Sequence, residues 1–456
     1  MGNPVDEIAQ HISERRYEDL PQDVVACAKR LILDTFGVAW AGADADGCGD
    51  VYAFTVQQGG NPESSVWVHG DKVPSVSAAF VNSLFAGALD FDSFHEVGTL
   101  HSDIVALPAA LAMAERQGAS GKEFLTAFVL AADLTCRLGL STVLRTGWFF
   151  TSVHGVIGAA AATARLLGLD ANGTKNAMGL AFLNAAGTQQ AAIERSLAKR
   201  LESAFAARSG VHAGLLASLG CDGPHDFLCG RFGLYRMYEE GDAGVVIRDL
   251  GRRYELSQVT IKRYPGCACT HGATDAVLHL VSKHALSPDQ VEAIEVSLSP
   301  YMNRLVGAPF APADNPQVSA QFSIQYALAC AVLFQRFGLA ELEDAVILDS
   351  RIRDMAKRVH VEVDESNSGI MAPVTVTVHT RSGQALTETV TVVPGTPELP
   401  LDDHGIIEKF RQCTTSGPRP LSEQACQALI DKVMSLEQVD DMAGFLSMFA
   451  SVDFCE

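Results

Sequence analysis

The chain has 456 residues, of which 48% are hydrophobic, and this length and composition predict a folded protein of two or three domains rather than a disordered chain. Its formal net charge of −20 argues against non-specific binding to nucleic acid, and no apolar run is long enough to predict a membrane-spanning helix. Eleven scattered cysteines, with neither a zinc-type spacing nor an apolar leader at the N-terminus, indicate reduced thiols and a cytoplasmic protein.

The residues up to about 262 are predicted to form helices. Val24, Ala28, Leu31, Ile32 and Phe36 recur at the spacing of one helix face, and several later stretches repeat this pattern and end in Gly, which is typical of a helix stop. Many of these stretches are rich in Ala and Gly and are apolar on most sides, which predicts buried helices that pack closely.

The pattern changes after Pro265. Four short stretches have the composition of β-strands, at residues 293–300, 359–365, 373–380 and 386–393. The last two are joined by a turn with the sequence TRSGQ, and a helix is predicted from 319 to 338. The predicted fold class is therefore a two-domain, mainly α protein. It has a large all-helical domain (1–265, rejoined by the tail 400–456) and a smaller α+β domain (266–399) with a mostly antiparallel sheet.

Titratable residues are concentrated in the stretch ALDFDSFHEVGTLHSD. Asp90 is predicted to end an apolar helix, where the helix dipole and partial burial would raise its pKa and make it a better base near neutral pH. His95 and His101 follow in a loop that can fold back on the helix end, and Ser102 or Asp103 is predicted to cap the next helix. The alternative is a polar turn between two core helices.

Cations are concentrated in two other stretches of this acidic chain, ERSLAKRLESAFAARSG and IKRYPGCACTHGATDA. The residues of interest in them are Arg195, Lys199, Arg200, Arg208, Lys262, Arg263 and His271. A solvated helix face and a basic hinge are the alternatives. If these stretches converge with Asp90, they form a site suited to a small polycarboxylate, because Lys and Arg hold carboxylates while Asp or His moves a proton.

Six stretches spread over nearly the whole chain occur in a specific order: ALDFDSFH with the later HSD, GVIGAAAATARLLGLD, AKRLESAFAARSGVHAGLLASLGCDGP, IKRYPGCACTHGATDA, FSIQYALACAVL and GTPELPLDDHGIIEKF. In them the chain resembles the MmgE/PrpD family, whose members include 2-methylcitrate dehydratase, cis-aconitate decarboxylase and iminodisuccinate epimerase. The resemblance implies an active site in the cleft between a helical and an α+β domain, a homodimer and no cofactor. It places the catalytic positions on Asp90, His101, Lys199 and Lys262.

The chain departs from the family pattern at three places. Where the family commonly has D-F-D-D-T, this chain has DFDSF, with Ser93 and Phe94; Phe149 stands at a family histidine; and K-x-L-H ends here in Glu202. His154 lies five residues after Phe149 and could replace the lost imidazole only by a local rearrangement. The further residues predicted to bind substrate are His95, Ser102, Phe149, His154, Arg200, His271 and Tyr326. For Tyr326, packing in the core is the alternative.

A site that has lost two imidazoles suits a reaction without a leaving group. We therefore expect an isomerase that epimerises iminodisuccinate or a similar dicarboxylate: Asp90 or His101 removes the alpha proton, another group returns one to the opposite face, and Lys199, Lys262 and Arg200 hold carboxylates. The alternatives are a hydro-lyase or decarboxylase acting on a tricarboxylate, and a binding protein without activity. A further alternative is a divalent-metal hydrolase with ligands among Asp90, Asp92, His95, His101 and Asp103.

Overall fold

A computed structural model describes residues 3–143, 146–312 and 314–445 of the chain. The first part is helical, as predicted, with a short hairpin of strands β1 (Ser64–Ser65) and β2 (Lys72–Val73) that the sequence did not indicate. Its helices are α1 Pro4–Glu14, α2 Gln22–Gly42, α3 Cys48–Gln58, α4 Ser75–Gly87, α5 Asp103–Gln117, α6 Gly121–Leu140, α7 Phe150–Leu166, α8 Ala171–Phe182, α9 Gln190–Ile193, α10 Ala198–Ser218, α11 Leu234–Met237 and α12 Ala243–Ile247.

Helix α7 lies at the centre of this part, and every residue from Phe150 to Ala164 is buried. Helices α5, α6, α8 and α10 pack around it. Small residues let these helices approach one another: a Cβ placed on Gly210 of α10 would lie 2.7 Å from the carbonyl oxygen of Val156 on α7. The Ala- and Gly-rich sequence thus packs closely, as predicted, because small side chains allow backbones to come near.

The second part contains a four-stranded sheet in the order β4-β3-β5-β6. Its strands are β3 Val291–Leu298, β4 Val359–Val363, β5 Val374–Thr380 and β6 Ala385–Val390. Strand β3 pairs with β4 in parallel, whereas the β3–β5 and β5–β6 pairs are antiparallel, so the mostly antiparallel sheet is confirmed. Gly383, with φ of 85°, lies in the predicted turn between β5 and β6.

The helices of the second part are α13 His271–Lys283, α14 Pro300–Val306, α15 Pro316–Gln321, α16 Ile324–Phe334, α17 Asp344–Ile347 and α18 Ser350–Ala356. The single helix predicted from 319 to 338 is wrong, because the chain breaks between α15 and α16. There the extended Ser323 caps α16 by accepting a hydrogen bond from the Tyr326 N–H at 3.2 Å. The break leaves the ring of Phe322 in the site described below.

The C-terminal helices α19 (Asp403–Ser416) and α20 (Glu423–Met434) pack against α2 in the first part. Phe410 lies against Gly37, and Lys409 forms a buried ion pair of 2.6 Å with Asp34. The domain boundaries expected from the sequence stay a prediction. Within the described ranges, no helix combines the length and hydropathy needed to cross a bilayer.

Within the described ranges, six short 3-10 helices complete the secondary structure, at Tyr17–Asp19, Glu255–Gln258, Ala268–Thr270, Pro288–Gln290, Leu339–Leu342 and Leu436–Gln438.

Candidate active site

Asp90 lies beyond the end of its helix rather than at it. Helix α4 ends at Gly87, and Asp90 follows with a left-handed backbone, φ 51°. The loop is held from the second part of the chain: Gln321 donates to the carbonyl of Ala88 at 3.3 Å, and the Gly266 N–H donates to the carbonyl of Asp90 at 3.2 Å. These contacts turn the Asp90 side chain towards two lysines.

The carboxylate of Asp90 is paired with the ammonium groups of Lys199 and Lys262. Lys199 Nζ donates to Oδ1, and Lys262 Nζ lies 3.1 Å from Oδ2 and 2.6 Å from the backbone carbonyl oxygen of Asp90. Burial raises the pKa of Asp90, but Lys199 and Lys262 outweigh burial and hold that pKa well below its usual range. The expectation that Asp90 has a raised pKa is therefore wrong, because paired cations oppose the effects of burial and the helix end.

His101 is held from one side by the chain segment that precedes it. Its Nδ1 lies 2.7 Å from Asp92 Oδ2 and 2.8 Å from the carbonyl oxygen of Ser93, while its ring packs on Phe94 at a centroid distance of 5.1 Å. Burial raises the pKa of Asp92, but His101 and Lys262 more than offset this effect and the net shift is downward. With Nδ1 occupied, the opposite ring nitrogen, Nε2, is the one available to a ligand.

Asp90, His101, Lys199, Lys262 and Phe149 line one pocket between the two parts of the chain, with an empty volume of about 590 Å³ including its mouth. The sequence thus predicted convergence of the three distant stretches, and the structure brings their central residues together. The other predicted substrate-binding residues do not line it.

Two of those residues belong to the loop that carries His101. His95 accepts a hydrogen bond from the Gly98 N–H at 2.9 Å, and its Nε2 lies 3.9 Å from Glu255. Ser102 donates to Asp103 Oδ1 at 2.9 Å and occupies the N-cap position of α5, although its side chain does not accept a capping bond. Both residues shape the loop rather than face the pocket.

Four others are buried elsewhere. Burial lowers the pKa of His154 on α7 and of His271 on α13 to about 3, with Lys262 adding to the effect on His271. Arg200 donates to the carbonyl of Asp46 and to Gln317. Tyr326 donates to the carbonyl of Glu341 and packs on Phe310, so its packing role, the alternative in the sequence analysis, is the one found.

Sequence reasoning missed several residues of the pocket. They are Thr99, Phe150, Gln189, Ala192, Cys267, Ala268, Cys269, Tyr301, Leu305 and Phe322. Phe94, noted only as a departure from the family pattern, also lines it. The two cysteines lie in the IKRYPGCACTH stretch that supplied Lys262, so the sequence could have predicted them as pocket residues. No sequence pattern indicated Tyr301 and Leu305 on α14.

The residues of the pocket do not resemble a metal centre. In the part of the chain that the structure describes, no group of three or more His, Cys, Asp or Glu side chains is arranged to hold a metal ion. Two ammonium groups beside Asp90 would also repel a divalent cation. The arrangement instead offers cations to an anionic molecule and an imidazole to a proton transfer.

Two family models match the chain. The MmgE/PrpD N-terminal domain matches residues 6–244, and the MmgE/PrpD C-terminal domain matches residues 264–436. Similar curated proteins include a cis-aconitate decarboxylase of Aspergillus terreus, 28% identical over 97% of this chain and 95% of the relative. Others are the cis-aconitate decarboxylase-like protein oryM of Aspergillus oryzae, 28% identical over 98% of both chains, and the Homo sapiens cis-aconitate decarboxylase, 28% identical over 92% of this chain and 89% of the relative.

Proposed function

Because the chain belongs to the MmgE/PrpD family, we propose that it is a lyase that releases CO2 from a small unsaturated polycarboxylate, with cis-aconitate as the reference substrate. The observation that carries this proposal is the pairing of Asp90 with Lys199 and Lys262 in a pocket that also contains His101. The names of the relatives favour the lyase alternative; they give no support to epimerisation of iminodisuccinate.

The low pKa of Asp90, which keeps its carboxylate ionised, also favours decarboxylation over epimerisation. An epimerase needs a base for the alpha proton, and a carboxylate whose pKa is held low is a weak base. A decarboxylase of a β,γ-unsaturated acid needs a proton donor instead. The bond to the departing carboxylate breaks, its electron pair forms a new double bond, and the old double bond accepts a proton at its far carbon.

Each charged residue then has one role. Lys199 and Lys262 bind carboxylates of the substrate, and Asp90 keeps both ammonium groups charged and in place. His101 delivers the proton through Nε2, while Asp92 orients the ring from the other side.

The test is to incubate the purified protein with cis-aconitate in D2O and to follow CO2 release and the labelled product. Decarboxylation gives an unsaturated dicarboxylate with one deuterium at the protonated carbon. His101→Asn and Lys262→Met should each lower kcat/KM by about a hundredfold or more. Lys283→Met, at an exposed lysine near the end of α13, is the matched control and should keep full activity.

Two results would contradict the proposal. One is the absence of CO2 release from every unsaturated polycarboxylate tested. The other is deuterium exchange into an imino-linked dicarboxylate without loss of CO2, which would restore the epimerase. The homodimer and the cytoplasmic location implied earlier stay predictions, and light scattering on the purified protein tests the first.

A further inference from the structure

Much of the pocket lining is apolar. The side chains of Phe94, Phe149, Phe150, Leu305 and Phe322, called the apolar wall below, come from four separate segments of both parts of the chain. The ring centroid of Phe322 lies 5.4 Å from Lys199 Nζ, so this wall adjoins the cations. Phe94 and Phe150 are buried, while Phe149 and Leu305 are half-buried. A carboxylate that faced this wall would lose its hydration without gaining a hydrogen-bond donor, which is unfavourable.

The charges of the pocket are few. Among the described residues that line it, Lys199 and Lys262 are the cations that are permanently charged, and both are paired with Asp90. Two ammonium groups and one carboxylate leave a surplus of one positive charge. His101 adds little to this surplus, because Asp92 lies against its ring.

The nearby arginines are occupied by other groups. Arg195 touches the ring of Phe322 but donates to the carbonyls of Ala192, at 3.1 Å, and Leu305, at 3.3 Å. Arg200 donates to the carbonyl of Asp46 and to Gln317, and Arg263 pairs with Asp275 at 2.9 Å. None of these three lines the pocket. A third carboxylate of a substrate would therefore find no partner among them.

We infer that the preferred substrate is an unsaturated dicarboxylate that carries an alkyl arm where cis-aconitate carries its third carboxylate, an inference that rests on the proposed decarboxylation. The two carboxylates meet Lys199 and Lys262, and the alkyl arm lies on the wall formed by Phe94, Phe149, Phe150, Leu305 and Phe322. An alkyl group gains free energy from burial on such a wall, whereas a carboxylate loses it.

The reaction of such a substrate balances without a co-reactant other than a proton. In ethylidenesuccinate, the C–C bond to the terminal carboxylate breaks and CO2 leaves. The electron pair of that bond forms the new double bond of the product acid, 2-ethylacrylate (2-methylidenebutanoate). The old π pair takes a proton from His101 at the carbon that bears the methyl group, and solvent returns the proton to His101.

Binding tests the inference independently of turnover. Tricarballylate and ethylsuccinate are saturated, unreactive acids that differ in one carboxylate against one methyl group. Titration calorimetry at fixed ionic strength should give a Kd for ethylsuccinate at least tenfold below that for tricarballylate. Equal affinities, or tighter binding of tricarballylate, would overturn the inference even if the protein is a decarboxylase.

Variants that place a cation in the apolar wall should reverse the preference for ethylsuccinate over tricarballylate. Phe149→Arg supplies a cation at a half-buried position. The backbone hydrogen bond from the Phe149 N–H to the Gly187 carbonyl does not depend on the side chain, so the variant should fold. It should tighten tricarballylate binding about tenfold and weaken ethylsuccinate binding. Leu305→Lys is the second variant, in case the first does not fold. Phe232→Arg, at a side chain that is 68% exposed, is the matched control and should change neither Kd. If neither wall variant that folds shifts the preference, the wall does not set specificity.

Turnover then separates this inference from the proposed function. CO2 release from ethylidenesuccinate should have a kcat/KM at least tenfold above that from cis-aconitate. No CO2 from either acid, together with tighter binding of ethylsuccinate, would reject the decarboxylase and keep the specificity. Faster decarboxylation of cis-aconitate than of ethylidenesuccinate would support the decarboxylase and reject the preference for an alkyl arm.

Discussion

At the scale of single residues, Asp92 acts on the site without lining the pocket. Its carboxylate lies 2.7 Å from His101 Nδ1, so it fixes the side of the ring that faces away from a ligand. A carboxylate in this position determines which ring nitrogen carries the proton and how the ring is turned. Asp92 is thus a positioning residue, and its effect should fall on the proton transfer rather than on binding.

We predict that Asp92→Asn lowers kcat by about tenfold to a hundredfold and changes KM less than threefold, because the amide keeps the pairing of both lysines with Asp90 and disturbs the imidazole. Steady-state kinetics of CO2 release checks this split. Asp222→Asn, at an exposed aspartate, is the control. A rise in KM with unchanged kcat would place Asp92 in binding instead.

Glu202 is the residue at which this chain lacks a family histidine, and it lies one turn after Lys199 on α10. Burial raises its pKa from 4.5 to about 7, although the Thr188 N–H donates to it at 2.9 Å. The folded protein therefore holds a proton that the unfolded chain releases. For this reason the free energy of unfolding should decrease as pH rises from about 4.5 to 7. Above pH 7 the folded protein bears the full cost of ionising the buried Glu202 carboxyl group.

Glu202→Gln removes that penalty. We expect the variant to be more stable than the parent by about 2 kcal/mol at pH 8 and nearly equal to it at pH 4.5. Urea denaturation at the two pH values measures the difference, and Glu365→Gln, at an exposed glutamate, serves as the control. If the difference in stability between the variant and the parent is the same at both pH values, the pKa of Glu202 is not raised in the folded protein.

At the scale of secondary-structure elements, the contact between α7 and α10 positions much of the pocket. Phe149 and Phe150 lie at the start of α7, and Lys199 is the second residue of α10. Gly210 allows the two helices to touch, since a Cβ there would meet Ala159 and the Val156 carbonyl. The distance between the lysine and the apolar wall therefore depends on the small residues of this contact, Gly210 among them.

Gly210→Ala should destabilise the fold by about 2 kcal/mol, because overpacking a close helix contact costs more than the alanine gains in helix propensity. Thermal unfolding measures the loss. The matched control is Gly49→Ala on α3, where nothing lies within 4 Å of the added Cβ, and its stability should stay the same or increase slightly. Equal midpoints for the two variants would contradict the proposed role of Gly210.

The elements also mark the limit of what a local pattern predicts. Helical and strand periodicity is local, so most helices and all four sheet strands were predicted close to their positions. The break at Phe322 and the turn at Asp90 were not. Both are stabilised by bonds between distant segments, such as that from Gln321 to the carbonyl of Ala88, which no periodicity contains.

At the scale of the whole molecule, the formal net charge is −20, so the excess acidic groups repel one another across the surface. We predict that raising NaCl from about 0.01 to 0.15 M at pH 8 increases the melting temperature by a few degrees, because salt screens this repulsion. Near pH 5, where the net charge approaches zero, the same salt step should have little effect. Differential scanning calorimetry at both pH values provides the measurement and its control. An equal shift at both would assign the effect to specific ion binding.

The sequence by itself determined the fold class and the identity of the charged groups, because periodicity, small residues and the positions of Asp, His and Lys are all local properties. The tertiary structure alone decided which groups meet and how they are protonated. Asp90 lies 109 residues before Lys199 and 172 before Lys262, yet these lysines control its pKa. They do so because a pKa depends on the charges that surround a group in space, and chain neighbours supply few of them.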